Sequence, residues 1–167
     1  MSSTVTPGAT AESSRPATID MKLEVITVPV ADLDRAKEFY ANLGWRLDAD
    51  VSLGGGVRVI QMTPPHSDAS ISFNTPPFAD VFGVKQMAPG SQQRMELVVS
   101  DIEAAREDLI SRGVDVGELF HLDGGRVPGP HPERASYGTY ATFSDPDGNT
   151  WLLQEVTSRL PGRTWDD

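Results

Sequence analysis

The 167-residue chain contains no cysteine, which excludes disulfides, thiolate metal sites and a cysteine nucleophile. It also has no apolar run approaching the ~20 residues that span a bilayer. Its first twenty residues, rich in Ser, Thr, Ala and Pro, lack the apolar stretch of a secretory signal. Basic residues are scarce, with 14 Lys and Arg against 24 Asp and Glu for a formal charge of −10. That balance argues against the phosphate-neutralising surface a nucleic-acid partner requires. There are three histidines, His66, His121 and His131, and none stands at a ligand spacing such as HxxxH. Gly54-Gly55-Gly56 has no following GK[ST] and no following helix, so it reads as a turn and not as a phosphate loop. The expectation from these absences is a cytoplasmic protein with neither a nucleic acid nor a membrane as partner.

What the chain does have is a repeat. Residues 28–47 read VPVADLDRAKEFYANLGWRL and residues 97–116 read LVVSDIEAAREDLISRGVDV. At a constant offset of 69, Val30 falls on Val99, Asp32 on Asp101, Ala36 on Ala105, Glu38 on Glu107 and Gly44 on Gly113. Two copies indicate a duplicated module, which has a seam where a ligand can sit. In each copy an apolar extended stretch reaches an aspartate suited to cap a helix, both as an acceptor and as a charge at the positive end of the dipole. Leu33, Ala36, Phe39, Tyr40 and Leu43 recur at helical spacing, as do Ile102, Ala105, Leu109 and Ile110. The glycines stand where a left-handed C′ residue is expected.

Short β-like runs follow each helix: residues 57–62 and 69–73 in the first copy, and 116–121, 137–143 and 149–156 in the second. Asp145-Pro146-Asp147-Gly148 is a strong turn signal between the last two. The expected organisation is a flexible tail over 1–20, a first module over 21–84, a linker over 85–91, a second module over 92–157 and a C-terminal tail over 158–167. In that last tail Leu160, Pro161 and Trp165 are candidates for docking on the surface.

The combination of VxVxDLxRAxxFYxxLGW, VxDIxAAxxxLxxRG and the terminal FSDPDGNTWLLQE resembles the vicinal oxygen chelate superfamily. That group includes glyoxalase I, bleomycin-resistance proteins, fosfomycin-resistance enzymes and extradiol dioxygenases. The resemblance covers roughly residues 22–157. It implies an α+β fold of two βαβββ modules, a curled mixed sheet around a cavity, and homodimerisation. It also implies where a family metal would be held. Those positions fall on Val25, Ser72, Arg94 and Leu152. Valine and leucine offer no lone pair, and arginine is a cation that is not deprotonated in proteins. A divalent ion needs several oxygen or imidazole donors, so the family metal is expected to be absent, with no other cofactor in its place.

Residues two apart on a strand share a face. If Arg94 faces inward, Glu96 and Val98 do too, as do Thr27 with Val25, Ser70 with Ser72, and Thr150 and Gln154 with Leu152. The expected pocket is apolar with a few polar groups, a mixture typical of small-molecule sites. Glu96 is the candidate general base, and Arg94 the group to stabilise developing negative charge. Thr27, Gln61, Ser72, His121 and Gln154 are candidate substrate contacts. So are Arg126 and Tyr140 in the Gly- and Pro-rich segment 123–140, which reads as a binding loop. The alternative for Arg94 and Glu96 is mutual pairing or solvation at a module edge. Trp45 and Trp151 are either stacking groups or core.

Three functional readings follow. One is a metal-independent enzyme acting on a small molecule, a lyase or isomerase. The second is a non-catalytic binder of the bleomycin-resistance type, which sequesters an antibiotic-like ligand. The third is a metal-dependent glyoxalase or dioxygenase with displaced ligands such as His121, Gln61 and Glu96.

Overall fold

A computed structural model describes residues 18–159. The docking expected of Leu160, Pro161 and Trp165, and most of the 1–20 tail, lie outside the described residues. The first copy contains β1 (Val25–Thr27), α1 (Leu33–Asn42), β2 (Arg46–Gly54), β3 (Val57–Thr63), β4 (Ser70–Asn74) and α2 (Pro77–Phe82). The second contains β5 (Met95–Val99), α3 (Ile102–Ser111), β6 (Phe120–Leu122), β7 (Arg126–Pro128), β8 (Thr139–Ser144) and β9 (Thr150–Glu155). Each copy makes one mixed sheet, ordered β1-β4-β3-β2 and β5-β9-β8-β6-β7. The parallel pairs are β1 with β4 and β5 with β9. Both are therefore curled βαβββ modules, the second widened by the strand β7.

The helices start where the aspartates place them. Asp32 accepts from the backbone N–H of Asp34 and Arg35, and Asp101 from that of Ala104. Both helices end against glycines at φ +83°, a conformation that costs a non-glycine residue about 1 kcal/mol or more. β2 is not among the runs expected from the sequence, although Leu47, Ala49, Val51 and Leu53 alternate with Arg46, Asp48, Asp50 and Ser52. Its signal is weak because the strand is an exposed edge. α2 lies at the end of the expected first module, just before the expected linker. It is a six-residue helix opened by Pro77 and closed by Gly83 in the left-handed region, too short to show helical periodicity.

The helix-side faces of both sheets share a single core. Tyr40 stacks on Phe73 at 5.2 Å, and Trp45 meets Trp151 edge-on at 5.2 Å. Both tryptophans are buried, which settles them as core groups. Tyr40 also ties the modules together through polar contacts. Its hydroxyl donates to Asp145 at 3.0 Å and accepts from the Trp151 indole at 3.0 Å. Burial, reinforced by the nearby Asp145 charge, pushes the Tyr40 phenol well above its ordinary range, so the donor stays protonated.

On the outside of the first module Arg58 bridges α1 and β2, donating to both Asp34 oxygens at 2.9 and 3.1 Å and to both Asp50 oxygens at 2.8 and 3.0 Å. These bonds are the leading cause holding both carboxyls below the usual carboxylate range. A depressed folded-state pKa contributes stability above the unfolded value, near pH 4, and that contribution is lost as pH falls through the folded value. Arg58→Gln is accordingly expected to lower the thermal midpoint at pH 7, with the gap to the parent protein narrowing below about pH 3. Scanning calorimetry at both pH values measures this. A gap independent of pH would remove the ion pairs as its cause.

Candidate functional site

Period-2 geometry assigns each strand residue to the helix side or to the open face, and the registers fix the neighbours. On the second sheet Glu96 sits opposite Leu152, Val98 opposite Gln154, Thr142 opposite Leu152, and Tyr140 opposite both Gln154 and Phe120. Arg94, Glu96, Tyr140 and Gln154 are thus brought to one open face, and Arg126 joins them through its pairing with Leu122. A cavity of about 360 Å³ lies over this face, lined by Arg94, Phe120, Leu122, Tyr140, Thr142 and Leu152 among others.

The floor of the cavity is aromatic. Phe120 and Tyr140 stack with centroids 5.4 Å apart at 26°. The guanidinium carbon of Arg126 lies 3.9 Å from the Phe120 ring centroid, within the range of a cation–π contact. Phe120 was not among the residues expected at the site. The available signal was its position next to His121, which period 2 sends to the opposite face.

Tyr140 is held in place from behind. Its hydroxyl donates to the Tyr137 carbonyl at 2.7 Å, and the Gln154 amide donates to the same carbonyl at 3.2 Å. Tyr137 adopts φ +67° and Arg134 φ +50°, left-handed conformations that persist in non-glycine residues only where the surroundings impose them. Arg134 supplies the anchor. It donates to Glu155, whose side chain is 3% exposed, at 2.9 Å, and to Glu103 at 3.1 Å. Segment 131–138 is therefore a pinned loop.

Arg94 also adopts a left-handed φ of +58°. It donates to Glu96 at 2.9 Å, with both side chains well exposed. Mutual pairing at the edge of the module is thus the observed arrangement. His121 lies on the helix side and is buried, with Nδ1 2.9 Å from the Gly129 carbonyl. Since a carbonyl only accepts, Nδ1 carries the proton.

The remaining candidates gather on the other sheet. Thr27 and Ser72 have hydroxyls 3.4 Å apart, and Gln61 pairs with Ser72 across β3 and β4. They make a small polar patch on the first module. Thr27 further borders a cavity of about 820 Å³ between the start of α1, α2 and segment 84–89. The sequence-derived candidates therefore fall into two groups on two sheets.

The positions implied for a family metal do not fit one. Val25 and Leu152 carry no donor, Ser72 is turned to Thr27, and Arg94 is a cation paired with Glu96. Among the described residues no three His, Asp or Glu side chains gather.

This architecture defines a duplicated βαβββ protein with an aromatic-floored open face. Residues 22–153 match the family model for the Glyoxalase/Bleomycin resistance protein/Dioxygenase superfamily, and the chain belongs to that superfamily. Among solved structures it is similar to TnmS3, an antibiotic binding protein from Streptomyces sp. CB03234, at 30% identity and a TM-score of 0.61, covering 84% of this chain and 99% of that one. A glyoxalase/bleomycin resistance protein from the same organism is 31% identical with a TM-score of 0.58, over 80% and 100% of the two chains. The uncharacterized Bacillus subtilis protein YetH is 26% identical over 139 residues, which are 80% of this chain and 98% of that protein.

Proposed function

We propose that this protein is a non-catalytic binder of a small, flat, antibiotic-like molecule, held on the open face of the second sheet. The observation that carries the reading is the Phe120–Tyr140 platform, an apolar stacking surface whose orientation is fixed by hydrogen bonds behind it. The similarity to an antibiotic binding protein supports the same reading. Catalysis by proton transfer has less support. The Glu96 side chain is 44% exposed and already occupied by Arg94, whereas a base at work in a pocket gains from desolvation. A homodimer belongs to the proposal, because Val51 and Leu53 on β2 and Leu122 beside the platform leave apolar surface in water that a second copy would cover.

Native mass spectrometry with a panel of aromatic antibiotics tests these points together. The expected species is a dimer carrying antibiotic of unaltered mass and no metal, unchanged after EDTA treatment and in Glu96→Gln. Turnover that disappears in Glu96→Gln would establish the lyase or isomerase reading instead. Binding that EDTA abolishes would restore a metal-dependent one.

A further inference from the structure

We infer that the ligand of the second-sheet face is an aromatic molecule bearing a carboxylate or another compact oxyanion, received by Arg126. This inference rests on the reading of that face as a ligand site and adds the chemistry of what it takes. It starts from how the arginines are used. Arg35, Arg46, Arg58, Arg94, Arg106, Arg112 and Arg134 each hold a carboxylate. In a chain of formal charge −10 carboxylates are abundant, and Arg126 differs from these seven arginines in holding none among the described residues.

Arg126 is exposed, and its described contact is the face of Phe120 at 3.9 Å. Stacking occupies the flat side of the guanidinium and leaves its N–H edge free. That edge is the fork which matches a carboxylate with two parallel bonds. The position is built for this. β7 is the outermost strand of its sheet, pairing Arg126 with Leu122 and Pro128 with Phe120, so the cation stands at the rim while the rings form the floor. A flat ligand lying against Tyr140 and the edge of the Phe120 ring, whose face Arg126 covers, would meet the guanidinium edge with whatever substituent projects past β6.

Arg94 does not serve the same end. It sits on β5's side of the sheet, four strand spacings or about 19 Å away, and its charge is balanced by Glu96. Among the described residues this face therefore carries one positive charge without a carboxylate partner, next to its aromatic rings.

The test uses 2-naphthoate and its neutral counterpart 2-naphthalenemethanol as probes of the full-length protein, with affinity from fluorescence titration and location from amide and aromatic NMR shifts. Naphthoate is expected to bind at least about tenfold more tightly, a difference of ~1.4 kcal/mol, and to lose affinity with added salt. Arg126→Gln, an exposed substitution whose folding is checked by its unfolding midpoint, should bring naphthoate down to the level of the alcohol. Arg126→Lys, with charge but no fork, should fall between. Phe120→Ala should weaken both probes. Equal affinity for the two probes, unchanged in Arg126→Gln while Phe120 and Tyr140 signals still shift, would overturn the anion inference and leave the site standing. No shift at Phe120 or Tyr140 with either probe at millimolar concentration would overturn the site itself, and this inference with it.

Discussion

Replacing Asp145 with alanine is expected to destabilise the fold by about 3–5 kcal/mol, since each buried donor left unsatisfied costs about 1–3 kcal/mol. Asp145 is 5% exposed and accepts four hydrogen bonds. Oδ1 takes the backbone N–H groups of Asp147 and Asn149, closing the turn between β8 and β9. Oδ2 takes the Tyr40 hydroxyl and the Asn149 amide. Asn149 in turn donates to the Pro29 carbonyl at 2.9 Å and accepts from the Gln92 N–H at 3.0 Å. One carboxylate thus joins α1 of the first module and, through Asn149, the segment between β1 and α1 to the last hairpin of the second. Alanine leaves the Tyr40 hydroxyl and the Asn149 donors facing a void.

Native domains are stable by only about 5–15 kcal/mol, so the loss should remove a large share of the total and lower the thermal midpoint by about 10 °C or more. Urea unfolding followed by tryptophan emission measures it, because the Trp151 indole N–H donates into the same network. Asp145→Asn, which keeps the volume but sets an NH₂ group against donors, should lose less. A cost below about 1 kcal/mol for alanine, the worth of a single ordinary hydrogen bond, would mean that the two modules do not depend on this group.

The two modules were legible in the sequence because a duplication reports on itself. Asp32 and Asp101, Gly44 and Gly113 recur at one offset, and all four act as that symmetry suggests. The shared facing of Arg94 with Glu96, and of Leu152 with Gln154, follows from period 2 once one residue's facing is chosen, whereas Tyr140 was expected only as a contact of a binding loop. What period 2 could not supply was register. The pairing of β6 with β7 and β8 brings Phe120 and Arg126 to the Tyr140 ring, and such pairings join residues that the chain order leaves apart. Segment 123–140 reads as a loop because its Gly and Pro content hides the three-residue strand Arg126–Pro128. The role of Asp145 was hidden for another reason. An aspartate before Pro-Asp-Gly looks like turn chemistry, and its burial depends on Tyr40, 105 residues away.

The pinned loop behind the platform carries a prediction that links stability to binding. Glu155 is 2% exposed, and its Oε1 accepts the N–H of Ile102, the first residue of α3, at 3.2 Å as well as the Arg134 guanidinium. A carboxylate at that point also suits the positive end of the helix. Glu155→Ala should therefore cost about 2–4 kcal/mol, through an unsatisfied N–H and a cavity in the core.

The second consequence is the informative one. Without the Glu155 carboxylate the Arg134 guanidinium keeps only the exposed Glu103, so the left-handed conformations of residues 134 and 137, costing about 1–3 kcal/mol each, are held by fewer contacts, the Tyr137 N–H still bonding the residue-155 backbone carbonyl at 2.8 Å. Once they relax, the Tyr137 carbonyl moves, and Tyr140 and Gln154 lose their shared acceptor. Glu155→Ala is thus expected to weaken 2-naphthoate binding by about tenfold, or ~1.4 kcal/mol, although Glu155 lies on the helix side and touches no ligand on the open face. Asp145→Ala, which acts on the other side of the core, should reduce stability and leave the affinity of the folded fraction unchanged. Titrations below the unfolding midpoint of both variants separate the two effects. Equal affinities in Glu155→Ala and the parent protein would show that the platform holds its own geometry, and that the loop serves only the fold.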